Sequence, residues 1–319
     1  MKRPLLTSVV LSGMLLATAA CGGSDAGAGG GDKTEVTASF YPMAWLAERV
    51  GGAHVTVTTL TSPGVEPHDL ELSPRQIGAL SETDLTLYVG DLQPAVDDAV
   101  AQHAADRALD AATLVDLLPS DGHAHEDEHE DEHADEPEGA EEHGHEGEHD
   151  PHFWTDPSRM ATVATALGER LAKADPANAA DYKAAAKTTA DELTALDGEF
   201  KDGLATCENR TIVTGHTAFS YLADRYDLKQ VGVSGLDPEA EPSPRRLAEL
   251  VELVKSNGVT TVFTETLASP KVAQTLADSA GVKTAVLDPV EGVAQGSSDD
   301  YMSLQRANLA TLRTALSCS

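Results

Sequence analysis

Basic residues are scarce in this chain: 22 Lys and Arg stand against 53 Asp and Glu, a formal charge of -31 over 319 residues. No Arg- or Lys-rich stripe occurs, so a phosphate backbone would find little to neutralise it, and nucleic acid is a poor partner. Cysteine is nearly absent too, with Cys21, Cys207 and Cys318 and no C-x-x-C pair, which leaves only a weak signal for a thiolate zinc site. The metalloprotease pattern H-E-x-x-H is missing, and no separate general base is evident. Apolar runs are short, and the one near the start, Leu5 to Ala20, is marginal for a membrane span of about 20 residues. What remains is an acidic chain long enough for two lobes of ordinary domain size, with a surface that attracts cations.

The short apolar run follows Met1-Lys2-Arg3 and ends in Thr18-Ala19-Ala20-Cys21, before a Gly-rich stretch to Asp32. A positive start, an apolar middle and a small-residue end form an export signal, here residues 1–20. The end resembles a bacterial lipoprotein signal, although Thr18 stands where such signals usually carry Leu; Cys21 would then be acylated and anchored to a membrane from outside the cytoplasm. Residues 21–33 would act as a flexible tether. The two other cysteines, Cys207 and Cys318, form an even pair in an oxidising space and are expected to be disulfide-bonded, with metal ligation as the alternative.

The strongest compositional anomaly is "HEDEHEDEH" at His125 to His133, inside a run that carries His123, His125, His129, His133, His143, His145 and His149. Fifteen acidic residues and no Lys or Arg lie between Asp121 and Asp150. Such a segment has almost nothing to bury and cannot build a core. An acidic run alone reads as a solvated linker, but seven imidazoles among carboxylates are donors for divalent transition metals. The expectation is a low-affinity zinc collector at residues 120–150.

Around that run, strand and helix patterns alternate. Glu35–Phe40, Val55–Leu60 and Asp84–Val89 read as strands, with helices at Met43–Val50 and Ser73–Leu80, where Ser73-Pro74 supplies the cap and first turn. Asp175 to Leu204, rich in Ala, Lys, Glu and Leu, reads as one long helix. The alternation then restarts, with strands at Thr211–Thr214, Gln230–Val233, Val259–Phe263 and Lys283–Leu287 and helices at His216–Arg225, Pro244–Asn257 and Pro270–Ala280. The fold class is α/β: two βα lobes with parallel sheets joined by one long rigid helix. The expected boundaries are 34–174 for the N-terminal lobe, 175–205 for the linking helix and 206–319 for the C-terminal lobe.

Five histidines lie outside the run. His54 and His103 have no partner-rich context and read as surface residues. His68, His152 and His216 sit in "VEPHDLE", "DPHFWTDP" and "VTGHTAFSYL", at strand ends or in Pro-bounded turns. Glu265 and Asp288 follow strands in "VFTET" and "VLDPVEG". Ligands of open parallel sheets bind beyond the carboxyl ends of the strands. Each residue alone is more often a loop or capping group, but together they offer three imidazoles and a carboxylate at one rim, a set suited to zinc.

These segments, with "PHDLELSPRQ", "DPEAEPSPRRLAEL" and "FTETLASPKVAQTLA" between them, resemble in order the zinc- and manganese-type solute-binding receptors of ABC metal importers, from about Glu35 to the C-terminus. The resemblance implies a metal site in the cleft between the lobes, with His68, His152, His216 and Asp288 as ligands, and permease and ATPase subunits as partners. The His-rich insertion just before the second ligand resembles the zinc-type members; manganese-type members carry Glu where His216 stands. Zn(II) is the expected ion, since nitrogen-rich ligands favour it over hard manganese. Glu265 is either a polar strand-end residue or a group that orients a ligand imidazole. A hydrolytic zinc enzyme is the rival, disfavoured because Asp288 would close the position that water needs. A receptor for manganese or another divalent metal would also suit these residues, as would a metal-buffering surface lipoprotein or adhesin.

Overall fold

The computed structural model describes residues 33–120 and 149–319, so Cys21 and six of the seven run histidines lie outside the described residues. Lys33–Ser319 forms one compact unit. Within it are two four-stranded, wholly parallel sheets. The first is ordered β2-β1-β3-β4, from β1 (Thr34–Ala38), β2 (Val55–Thr59), β3 (Leu85–Tyr88) and β4 (Ala108–Asp110). The second repeats the order as β6-β5-β7-β8, from β5 (Thr211–Thr214), β6 (Lys229–Gly232), β7 (Thr261–Thr264) and β8 (Lys283–Val286). Parallel pairing demands crossovers, and helices supply several of them: α1 (Tyr41–Gly51), α2 (Pro74–Leu80) and α3 (Pro94–His103) in the first half, α6 (Ser220–Arg225), α7 (Pro244–Ser256) and α8 (Lys271–Ala280) in the second.

Helix starts follow local chemistry. Ser73 and Gln76 form a capping box on α2, and Ser243 accepts from the Arg246 N–H on α7. Between the halves lies a helical hairpin. α4 (Pro157–Ala174) is capped by Asp156 and presents Met160, Val163, Ala164, Leu167 and Leu171 on one buried face. Pro176 breaks the chain, and α5 (Ala179–Gly203) returns beside α4 over 25 residues. Gly168 lets the two helices touch: a Cβ there would come within 2.4 Å of Ala186 Cβ. The long helix is therefore α5, starting later than its composition suggests because Asp175 and Pro176 form the turn. Arg49 of α1 and Arg306 of α9 (Tyr301–Ala315) pair with Glu192 and Glu199 of α5, two turns apart along the helix.

The main apolar cluster runs from Val36 in β1 through α4 and α5 to Leu316, with smaller clusters under α2 and α3 and under α7 and α8. Its aromatic seam spans the chain: Phe40 meets Trp154 edge-on at 4.7 Å, and Trp45 stacks on Tyr301 at 4.7 Å. Trp154 Nε1 donates to the Pro289 carbonyl and Tyr301 Oη to that of Trp154, which satisfies both buried polar tips.

Cys207, just past α5, is disulfide-bonded to Cys318 at a sequence separation of 111. Closing a loop of that length stabilises by about 3–5 kcal/mol in the chain-entropy picture. Reduction, or the double substitution of Cys207 and Cys318 by Ser, is expected to lower the urea midpoint by a corresponding amount. Urea titrations with and without reductant measure it.

Candidate metal centre

Four chain segments bring their donors to one point. His68 lies in the loop between β2 and α2, His152 in the turn before a short 3₁₀ segment at Phe153–Thr155, His216 just beyond β5, and Glu291 in the loop after β8. His152, His216 and Glu291 are buried, and His68 is the most exposed of the four, with its side chain 14% accessible. Their donor atoms all fall within 4.8 Å of one another. His68 Nε2 and His152 Nε2 are 3.3 Å apart, and Glu291 Oε1 stands 3.6, 3.5 and 3.4 Å from Nε2 of His68, His152 and His216. The ligand–ligand edge of a tetrahedral zinc site with bonds of about 2.0–2.1 Å is about 3.3–3.4 Å. Those four edges fit that ion within a few tenths of an ångström. His216 Nε2 and Glu291 Oε1 are buried without a hydrogen-bond partner, which is costly unless a cation lies between them.

Two of the imidazoles are held by carboxylates through Nδ1. Asp150 Oδ1 accepts from the His152 backbone N–H at 2.8 Å and faces His152 Nδ1 at 2.7 Å. Glu265 Oε1 accepts from the His216 backbone N–H at 2.8 Å, while its Oε2 bonds His216 Nδ1. The approach depends on Gly215, where a Cβ would lie 2.6 Å from Glu265 Oε1. Bonds to Nδ1 turn Nε2 inward as the metal donor in both rings. The Glu66 carboxylate takes the His68 backbone N–H at 3.0 and 3.1 Å and stands 3.9 Å from His68 Nε2.

The carboxylate gathered with the three imidazoles is Glu291, not Asp288. Asp288 stands at the end of the strand with its short side chain turned back, and its Oδ1 accepts from the Val290 N–H at 2.7 Å. Asn308 clasps the Asp288 backbone on both sides, at 2.8 Å on N and 2.6 Å on O. That turn forces Val290 to a φ of 60°, a left-handed conformation that a β-branched residue avoids, and Val290 is fully buried. The strained turn delivers Glu291 to the site. Asp-Pro was the available signal: an Asp before Pro commonly spends its oxygen on the backbone N–H two residues on, leaving the later Glu free. The same acid-Pro-His spacing in "EPH" and "DPH" marks Glu66 and Asp150, which sequence reasoning missed. Among the other predicted residues, His149 is exposed in a bridge with Pro119 and outside the donor group, and His54 faces Asp181 on the surface.

The electrostatics without metal are those of a preformed cation site. Burial disfavours charge on His216, but Glu265 and Glu291 outweigh it and push its pKa up to about 10. Burial opposes ionisation of Glu291 as well, yet His216 and His68 hold its carboxyl well below the usual range. Burial dominates at His152 and keeps that ring neutral despite Asp150. Asp288 goes the other way: burial, reinforced by Glu291 and Glu265, raises its pKa.

Residues 36–315 match the family ZnuA, zinc-uptake complex component A, periplasmic, and the chain belongs to that family. It is 34% identical over 287 residues to the zinc-binding protein AdcA of Streptococcus pyogenes, covering 88% of this chain but 56% of that protein. The chain thus spans just over half the length of that relative. The high-affinity zinc uptake system protein ZnuA of Bacillus subtilis is 33% identical over 318 residues, with 96% of both chains covered. Among solved structures, the Zn(II)-bound ZnuA-like domain of Streptococcus pneumoniae AdcA superposes with a TM-score of 0.71 at 30% identity, over 89% of this chain and 99% of that one.

Two outcomes follow from this geometry. Replacing Glu291 by Gln is expected to weaken zinc about 100-fold or more, because a ligand charge is lost. Asp288→Asn keeps the Oδ1 acceptor for Val290 and is expected to change affinity by less than about tenfold; competition titration against a calibrated chelator ranks the two. The sign of the pH dependence is set by His216. Its raised pKa keeps the proton on the metal-free ring at neutral pH, so zinc must displace it and affinity rises with pH. Calorimetry in buffers of different ionisation enthalpy should show about one proton released per zinc at pH 7.

Proposed function

We propose that the chain is an extracytoplasmic high-affinity receptor that captures Zn(II) and hands it to the permease and ATPase subunits of an ABC-type importer. The supporting observation is the convergence of His68, His152, His216 and Glu291 on one point, with two of their own donor atoms, His216 Nε2 and Glu291 Oε1, buried and unpartnered. With the proton displaced from His216, three neutral nitrogens and one carboxylate carry a net charge of -1, which leaves a bound dication half neutralised. Nitrogen-rich coordination favours zinc over manganese, which prefers oxygen. With four protein donors close to tetrahedral distance, no position is reserved for a reactive water, which favours carriage over hydrolysis.

Zinc is cargo in this reading. Asp150 and Glu265 hold the rings of His152 and His216, and Glu66 holds the backbone of His68, so that little reorganisation is needed when the ion arrives. Cys21 is acylated and holds the receptor at the outer face of the membrane, in keeping with the lipoprotein-type signal. Among the described residues, no helix is long and apolar enough to cross a membrane. The names of the relatives, zinc-binding and zinc-uptake proteins, favour the same assignment. The histidines between His123 and His149 would collect zinc weakly.

Competition among zinc, manganese and copper on the purified chain tests the reading. One tight zinc per chain is expected, with manganese weaker by about three orders of magnitude or more. Equal or tighter manganese binding would refute the zinc assignment. Removing Gly122 to Glu148 is expected to lower the total zinc bound and leave the tightest dissociation constant nearly unchanged.

A further inference from the structure

Tyr221 lies outside the donor group, yet its hydroxyl sits where the chain on either side of the His-rich run is pinned together. The oxygen accepts from the Leu118 N–H at 2.9 Å and donates to the Asp150 carbonyl. Asp150 N–H in turn donates to the Leu118 carbonyl at 2.9 Å. Tyr221 comes from α6, in the second half of the chain, and reaches the one residue that bonds His152 through its ring and its backbone. The phenol ring is fully buried, and the Arg159 guanidinium covers its face at 4.7 Å. Arg159 is itself fixed by Asp156, the cap of α4.

We infer that Tyr221 is a positioning residue for metal binding: through Asp150 it sets the orientation and tautomer of His152. The inference rests on the receptor reading above. Asp150 can present Oδ1 to His152 Nδ1 only while its backbone stays where Leu118 and Tyr221 hold it. Without the phenol oxygen, the Leu118 N–H and the Asp150 carbonyl lose a common buried partner, and the turn carrying Asp150 gains freedom. His152 then samples orientations in which Nε2 misses the metal point. The coupling also runs between halves of the chain, because α6 starts four residues after His216. The helix that follows one ligand thereby holds the carboxylate that orients another.

The test uses the full chain with zinc competition titration. Tyr221→Phe is expected to raise the zinc dissociation constant about tenfold, and Asp150→Asn about 10–100-fold, the range for groups that orient metal ligands. The double variant should match Asp150→Asn alone, since both act through one contact. Tyr226→Phe is the control, because it removes a buried hydroxyl bonded to Asp197 at 3.2 Å away from the donors; it should leave zinc affinity unchanged. Arg159→Leu, which removes the guanidinium that covers the Tyr221 ring, gives a second reading in the same direction if Tyr221→Phe does not fold. Imidazole nitrogen NMR of the zinc-free protein should show His152 losing its Nδ1–H preference in Tyr221→Phe. Wild-type zinc affinity in Tyr221→Phe, full additivity with Asp150→Asn, or equal weakening by Tyr226→Phe would each overturn the inference. A wild-type chain that bound no zinc would instead overturn the receptor reading.

Discussion

A buried carboxylate facing three imidazoles is the constraint on which the rest of this structure turns. An ionised Glu291 removed from water is unfavourable by itself, and the protein compensates by surrounding it with groups that bear a proton or share a cation. Without metal, His216 keeps a proton and serves as the counter-charge. In the proposed receptor a dication would take over that duty as the proton leaves, and capture would then be linked to the acidity of the surroundings.

Holding four donors at one point takes more than the donors. The two sheets place strand ends toward the site, and the paired helices between them share the apolar core of both, so the loops spring from a fixed frame. The most demanding loop is the one after β8. It accepts a left-handed valine, which is unfavourable by itself, and Asp288, Asn308 and the Trp154 bond to Pro289 keep it there. Strain of this kind persists where the surroundings over-determine it, and here it aims a ligand.

Much of this was written in local patterns. The doubled strand–helix alternation specified two parallel sheets, and the segments around His68, His152 and His216 hold the three imidazoles that the fold gathers at the candidate site. The hairpin partner α4 also has a local signature, in Asp156-Pro157 and the spacing of Met160, Val163, Leu167 and Leu171. β4, at three residues, carries too little pattern to detect. The carboxylate was misassigned because Asp288 and Glu291 share one short motif, and choosing between them means knowing which oxygen the turn consumes. Tyr221 was hidden for a deeper reason. Its partners Leu118 and Asp150 lie 103 and 71 residues away along the chain, and nothing in "AFSYLADRY" points to either. Only tertiary packing brings them together.

The bond between Cys207 and Cys318 also gives the molecule a covalent topology. His216, Glu265, Asp288 and Glu291 all lie inside the closed ring it forms, whereas His68, Asp150 and His152 lie on the open arm that precedes it. Tension applied from the N-terminal side, as on a chain tethered there, would be felt first by the open arm. The ring cannot be drawn out as a straight thread, because its two ends are one covalent point. Under mechanical load the two sets of donors would therefore part company along this boundary, with half of the site remaining locked in its loop.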